Sequence, residues 1–183
     1  CTPVSGNPTQ PGLRSPVVVK ALGLNHKSDA GGVLLNIADE AHLARAVADL
    51  RARLAPPAIV VEEQAPVNQG IELIVGCRQD PAFGPLVMVG FGGIYAEILR
   101  DTAVALGPIS EEDADALIRS LRGAGLLLGA RGRPILDIAG AAAFTAALSL
   151  LAASHPEISG LEVNPLLVLP ERVLALDARV TVG

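Results

Sequence analysis

One stretch, from Leu161 to Ala178, limits what this chain can fold into more than any other. Its apolar runs Leu166 to Leu169 and Val173 to Leu176 are each of strand length, and Pro170-Glu171-Arg172 between them is a hairpin-sized connection. A chain that closes on such a hairpin needs a sheet to receive it. Side chains in a strand alternate between faces, so Glu162 and Asn164 point the same way, and Asp177 on the returning strand can join them. Two carboxylates and a carboxamide on one face make a hard-oxygen site. Magnesium fits it, because that ion takes one or two protein oxygens and leaves its other positions to water and to nucleotide phosphates. The same residues could equally cap and solubilise a surface hairpin, and their spacing leaves both readings open.

Composition narrows what surrounds the hairpin. Half of the 183 residues are hydrophobic but only 2% are aromatic, so the core of one domain or two small lobes is built from Leu, Val, Ile and Ala. With no tryptophan and a net charge of -5, the chain lacks both the stacking platforms and the basic surface of a nucleic-acid binder. Cys1 and Cys77 lie too far apart in sequence for a disulfide framework or a metal knuckle, which points to a reducing cytoplasm. Ala139 to Ala153 is apolar but too short to span a bilayer, and Thr145 and Ser149 interrupt it, so no membrane is expected. No secretion signal is visible. Cys1 in place of methionine, and Gly183 directly after a strand, read as the ends of a piece of something larger.

Residues 1–14, rich in Pro and Gly and without periodicity, read as a linker or arm, and residues 15–183 as the domain. Val17 to Leu22 is a strand carrying Lys20, Gly23 to Gly32 a polar loop, and Val33 to Ile37 the next strand. Asp39 caps a helix with Leu43, Val47, Leu50 and Leu54 at helical spacing, stopped by Pro56-Pro57. Ala58 to Glu63, Ile71 to Arg78, Leu86 to Val89, Ile94 to Leu99 and Thr102 to Leu106 then read as a meander of antiparallel strands. Ser110 starts a helix with acidic residues in its first turn, and Asp137 starts a long Ala-rich helix that ends before Pro156. The fold class is α+β, a mostly antiparallel sheet with helices packed to one side.

A second constellation lies at the other end of the chain. A lysine inside a buried strand is costly unless its ammonium finds an anion or reaches water. Lys20 stands just before a loop with Gly23, Gly31 and Gly32, the further cations His26 and Lys27, and the hydroxyl of Ser28. Glycines let backbone N–H groups close around phosphate oxygens while cations neutralise them. This is not a Walker A motif, because the Gly-Lys-Ser/Thr order is missing and a strand follows. An ordinary hairpin with an edge lysine is the plain alternative. Glu62, Glu63 and Glu72 at strand ends could accept hydrogen bonds from a base amino group or a ribose hydroxyl, or could simply be solvated carboxylates.

Taken in order, Val18-Val19-Lys20-Ala21, His26 to Val33, Val61-Glu62-Glu63, Gly70 to Gly76, Asp80 to Leu86, Gly90-Phe91-Gly92-Gly93-Ile94-Tyr95 and Leu161 to Leu166 resemble the ATP-grasp domain of ADP-forming (NDP-forming) acyl-CoA synthetases. The β subunit of succinyl-CoA synthetase is a more distant relative of that group. The similarity runs from Pro16 to Val180. It implies ATP and Mg²⁺ as cofactors, with Lys20 on the nucleotide phosphates and Lys27, Ser28, Gly31 and Gly32 in the mobile loop over them. It further implies Glu62 and Glu63 at the hinge beside the base and Glu72 at the ribose. Asn164 and Asp177 match the magnesium ligands, with Glu162 as their helper. His26 matches a histidine thought to relay the phosphoryl group, and its near-neutral pKa suits a nucleophile; a loop cation that only pairs with phosphate is the other reading. His42 and His155 read as surface or capping residues.

The implied reaction makes acyl-CoA, ADP and phosphate from an acid, CoA and ATP, through phosphohistidine and acyl phosphate. The histidine acceptor belongs to a CoA-binding ligase portion that no segment here resembles, so it is expected in cis or on a separate subunit, within an oligomer. The family's helical lobe before the Lys20 strand is replaced here by the short proline-rich arm, so the N-terminal lobe reads as truncated, unordered or carried elsewhere. A non-catalytic regulatory ATP-grasp module fused to a protein acetyltransferase is the alternative function. Another carboxylate–amine ligase of the wider group fits less well, because the His-Lys-Ser-Asp and Phe-Gly-Gly-Ile-Tyr stretches look particular to the CoA-ligase branch.

Overall fold

A computed structural model describes residues 2–3, 13–23 and 31–183. The chain divides into two compact units, Cys1–Ala65 and Pro66–Gly183.

The first unit is a four-stranded antiparallel sheet with one helix on it. Strands β1 (Thr2–Pro3), β2 (Val17–Leu22), β3 (Val33–Ile37) and β4 (Ala58–Glu63) lie in the order β1-β4-β2-β3. Thr2 and Pro3, in the segment expected to be an arm, pair with Val61 and Val60 at the sheet edge. Helix α1 (Glu40–Leu54) starts where its sequence says it should, with the Asp39 carboxylate accepting from the His42 N–H at 2.7 Å. It ends at Ala55, in the left-handed region at φ 41° ahead of Pro56-Pro57. Leu43, Ala46, Val47 and Leu50 of α1 pack on Val17, Val19, Ile37, Ile59 and Val61. Leu50 is fully buried, and its truncation to Ala costs about 2–5 kcal/mol.

The second unit is a larger antiparallel sheet. Strands β5 (Ile71–Asp80), β6 (Gly84–Phe91), β7 (Thr102–Leu106), β8 (Ile158–Val168), β9 (Val173–Ala175) and β10 (Ala178–Val182) run in the order β10-β8-β5-β6-β7, with β9 pairing β8. Helices α3 (Glu111–Arg119) and α4 (Ile138–Ser154) pack against it, α3 opened by a capping box between Ser110 and Asp113. Leu73, Val75, Phe91, Val163 and Leu166 point to Ile118, Leu127 and Ala141 in the core. Alternation therefore sends Glu72, Gly76 and Glu162 to the other face.

The fold class is as expected, but two elements differ. The meander from Ala58 to Leu106 is divided: β4 belongs to the first unit's sheet, and a 3-10 turn at Val67–Gln69 leads into β5 of the second. The segment expected as a strand at Ile94 to Leu99 is a helix, α2 (Gly93–Leu99). Its apolar residues fit helical spacing as well as a strand run, with Tyr95 and Leu99 against the core and Ile94 and Ile98 exposed. Gly93, at φ 53°, turns the chain out of β6, which decides for the helix. No helix among the described residues is long and apolar enough to cross a membrane.

Candidate functional site

The late constellation is built on an irregularity in β8. Val163 pairs with Val75 and Leu166 with Leu73, so Asn164-Pro165 together oppose one residue of β5, a β-bulge. Proline has no N–H to give a ladder, and a bulge is where a strand tolerates it. On the other side β9 and β10 pair with β8 on either side of the same place. Leu176 and Asp177 bridge it: Asn164 N–H donates to the Asp177 carbonyl and Leu176 N–H to that of Pro165, both at 3.0 Å. Glu162 and Asn164 share a face as expected, and Asn164 Nδ2 donates to Glu162 Oε1 at 3.0 Å. Backbone pairing thus sets Asp177 beside Asn164, and the side-chain bond sets Glu162 there too.

These residues fit a hard divalent cation. Glu162 engages the amide nitrogen of Asn164, which leaves the amide oxygen, a neutral hard donor, for the ion. No group of three or more His, Cys, Asp or Glu suited to a metal occurs among the described residues.

Lys20 lies on β2 with its side chain 14% exposed, and Nζ meets Glu62 Oε2 on β4 at 2.6 Å. The anion that a lysine in this strand requires is therefore supplied by the neighbouring strand. Val18 pairs with Glu62 in register and Lys20 with Val60, so the contact is a diagonal one across the ladder. Glu63 is exposed and accepts from the Arg14 N–H at 3.1 Å. Gly31 holds φ 67°, a conformation glycine adopts without cost, and Gly32 accepts from the Ala21 N–H at 2.8 Å, which closes the base of the loop. His26, Lys27 and Ser28 lie outside the described residues.

Glu72 is half-buried on β5, and burial pushes its pKa up. Its carbonyl accepts from the Gly92 N–H at 2.7 Å, and a Cβ on Gly93 would collide with its carboxylate. Gly92 and Gly93 therefore serve Glu72, a role sequence reading missed although it quoted the Phe-Gly-Gly motif. Arg179 also went unnoticed. It directly opposes Glu162 across β8 and β10, and strand alternation from Asp177 could have pointed to it. His155 caps the end of α4 and meets Glu157 through Nδ1 at 2.9 Å, as its capping reading requires.

Comparison with known proteins shows the family of the chain. The ATP-grasp domain family matches residues 10–182. The chain belongs to that family. This ATP-grasp domain is 37% identical over 173 residues to the acetate–CoA ligase [ADP-forming] I subunit beta of Pyrococcus furiosus, covering 90% of this chain and 74% of that subunit. It is 34% identical to acetate–CoA ligase [ADP-forming] I of Archaeoglobus fulgidus, covering 92% of this chain but only 25% of that longer protein. Among solved structures it matches dinucleotide-forming acetyl-coenzyme A synthetase 1 of Ca. Korarchaeum cryptofilum in complex with coenzyme A and Mg-AMPPCP. That match has a TM-score of 0.80 and 32% identity, and covers 92% of this chain and 76% of that one. Its phosphohistidine segment points towards the nucleotide-binding site.

Proposed function

We propose that this ATP-grasp domain is the nucleotide-binding, phosphoryl-transferring part of an ADP-forming acid–thiol ligase. It binds ATP with Mg²⁺ and passes the γ-phosphoryl group to a histidine of a CoA-binding ligase portion. The observation that supports this is the β8 bulge, where Asn164 bonds Glu162 through its side chain and the Asp177 carbonyl through its backbone.

Asn164 and Asp177 would hold the metal, with Glu162 orienting the Asn164 amide. When bound, the ion would supply positive charge against the charge developing on the leaving diphosphate. Lys20 exchanges Glu62 for the nucleotide phosphates, and the amides around Gly31 and Gly32 help to cradle them, with Lys27 and Ser28 in the loop. Glu62 and Glu63 lie at the base hinge, and Glu72 accepts from the ribose. In the transfer, the bond between the γ-phosphorus and its bridging oxygen breaks with the electron pair going to ADP, while a P–N bond forms at the imidazole. His26 either relays the group or pairs with it.

The acceptor portion lies in the same polypeptide or on another subunit of a cytoplasmic oligomer. Relatives of both forms match, a separate β subunit and longer single chains.

The test is incubation of the full-length protein with γ-labelled ATP and Mg²⁺, followed by assay for acid-labile phosphohistidine. Label is expected with wild type and lost with Asp177→Ala at unchanged fold; unchanged labelling overturns the metal assignment. For His26, label on the acceptor and turnover that both survive His26→Ala remove it from the relay.

A further inference from the structure

The face of β8 that carries Glu162 continues, on the side of Gly160, into a cavity of about 700 Å³. Its floor includes Gly76 and Gly160. Neither glycine adds a side chain to the cavity, and a Cβ at Gly76 or Gly160 would make only ordinary contacts, at 3.5 Å and 3.8 Å. Leu86, Met88 and Val104 form an apolar side, while Arg78, Glu162 and Arg179 supply the charge.

The arginines are placed for an anion that the fold does not provide. Arg179 opposes Glu162 in register, close enough for unlike charges to pair across a ladder. That pair does not form, and Glu162 Oε1 takes the Asn164 amide instead. Arg78 opposes Gly160, which has no side chain to offer. Neither guanidinium makes an ion pair among the described residues, so two positive charges and one negative face the cavity. A guanidinium fork matches the oxygens of a tetrahedral oxyanion.

We propose that Arg78 and Arg179 form an anion clamp that receives a phosphoryl dianion beside Glu162. The clamp rests on the reading of this domain as a phosphoryl-transfer module and adds to it the residues that hold the group once it has left the nucleotide. The dianion comes either as inorganic phosphate or on a phosphorylated imidazole.

The test follows the Arg Nε–H resonances of the ¹⁵N-labelled chain while inorganic phosphate, and separately phosphoimidazole, is titrated in. Saturable shifts of Arg78 and Arg179 are expected. Arg78→Gln and Arg179→Gln should each weaken binding by roughly tenfold, and Arg179→Lys by less, because the charge remains while the fork is lost. Arg172→Gln, on the β8–β9 turn, is the control and should change nothing. Phosphoimidazole binding much tighter than phosphate identifies a side-chain-borne group, and equal binding identifies free phosphate; either upholds the clamp. Resonances of Arg78 and Arg179 that stay still with both probes, or losses no larger than that of Arg172→Gln, overturn it. Mg-AMPPCP titration separates the two proposals. Nucleotide binding without phosphate shifts removes the clamp alone, and phosphate shifts without nucleotide binding remove the functional reading and leave the clamp.

Discussion

Each compact unit places charge on an antiparallel strand pair, and the two do so differently. Between β2 and β4 the ladder is regular, and a cation meets its anion, Lys20 with Glu62 at 2.6 Å. At β8 the ladder is broken, and Asn164 is held twice, its side-chain amide by Glu162 and its backbone N–H by the Asp177 carbonyl. A partly buried ion pair has already recovered much of its desolvation cost, so a ligand must replace an existing partner to gain Lys20. At the bulge Glu162 engages the Asn164 amide nitrogen and leaves the amide oxygen, so a ligand can be accepted there without displacing that contact. On the proposed function, the first arrangement would admit a ligand by exchange and the second by addition.

The largest expected effect follows from that difference. Asp177→Ala should lower phosphoryl transfer on the order of 10²-fold or more, while the backbone bond from Asn164 to the Asp177 carbonyl stays available to the variant. Phosphohistidine formation together with a melting curve checks it; an equal loss of folded protein would make the bulge structural and break the comparison. Next comes Gly93→Ala. It adds a Cβ at φ 53° and drives it onto the Glu72 carboxylate, for a cost of about 2–3 kcal/mol in chemical denaturation. In a Glu72→Ala background only the backbone cost remains, about 1 kcal/mol, so the double-mutant cycle reads the contact itself.

Regular pairing was the part of this fold that could be read from residues alone. Ala58–Glu63 and Thr102–Leu106 have the bounds that their β-branched runs predict, and α1 and α3 start at Asp39 and Ser110 because caps are local chemistry. Glu162 and Asn164 could be placed on one face because strand alternation carries over two residues. What local rules could not supply was tertiary. Ile94 to Leu99 suits a strand or a helix, and the choice was made by Gly93 turning beneath Glu72, a residue twenty-one positions earlier. The bulge at Asn164-Pro165 likewise exists only against β5. Lys20 announced that it needed an anion but not that Glu62, read as a base-side carboxylate, would supply it.

The exchange idea for the first unit is sharpened by changing its two members separately. Lys20→Gln should weaken Mg-AMPPCP binding by roughly tenfold, the loss of one charge-assisted contact. Glu62→Gln should strengthen it by a few-fold, because the competitor for the ammonium is gone. Isothermal titration of both variants decides: if Glu62→Gln weakens binding as much as Lys20→Gln, Glu62 orients the lysine or meets the nucleotide itself, and exchange is wrong.

The smallest effect is one of pH, and it compares a site carboxylate with a scaffold carboxylate in the second unit. Burial raises the pKa of Glu72 above its ordinary 4.5, so the folded state binds this proton more tightly than the unfolded chain. Its contribution to stability is present below the ordinary value and is lost as pH rises through the folded one. Asp101 is buried too, which pushes its pKa up, but hydrogen bonds from the Gly123 and Arg122 backbones and the Arg122 charge outweigh this and bring it below 3.8. Its contribution is present above that value and is lost as pH falls. Between about pH 3 and 7, then, the stability difference between wild type and Glu72→Gln should shift against wild type as pH rises, and that for Asp101→Asn should shift towards it. Urea titrations across that range measure both slopes, and slopes of the same sign would refute the assignment. A ligand hydroxyl donating to Glu72 favours its ionised form, so saturating Mg-AMPPCP should flatten the Glu72 slope and leave that of Asp101 as it was.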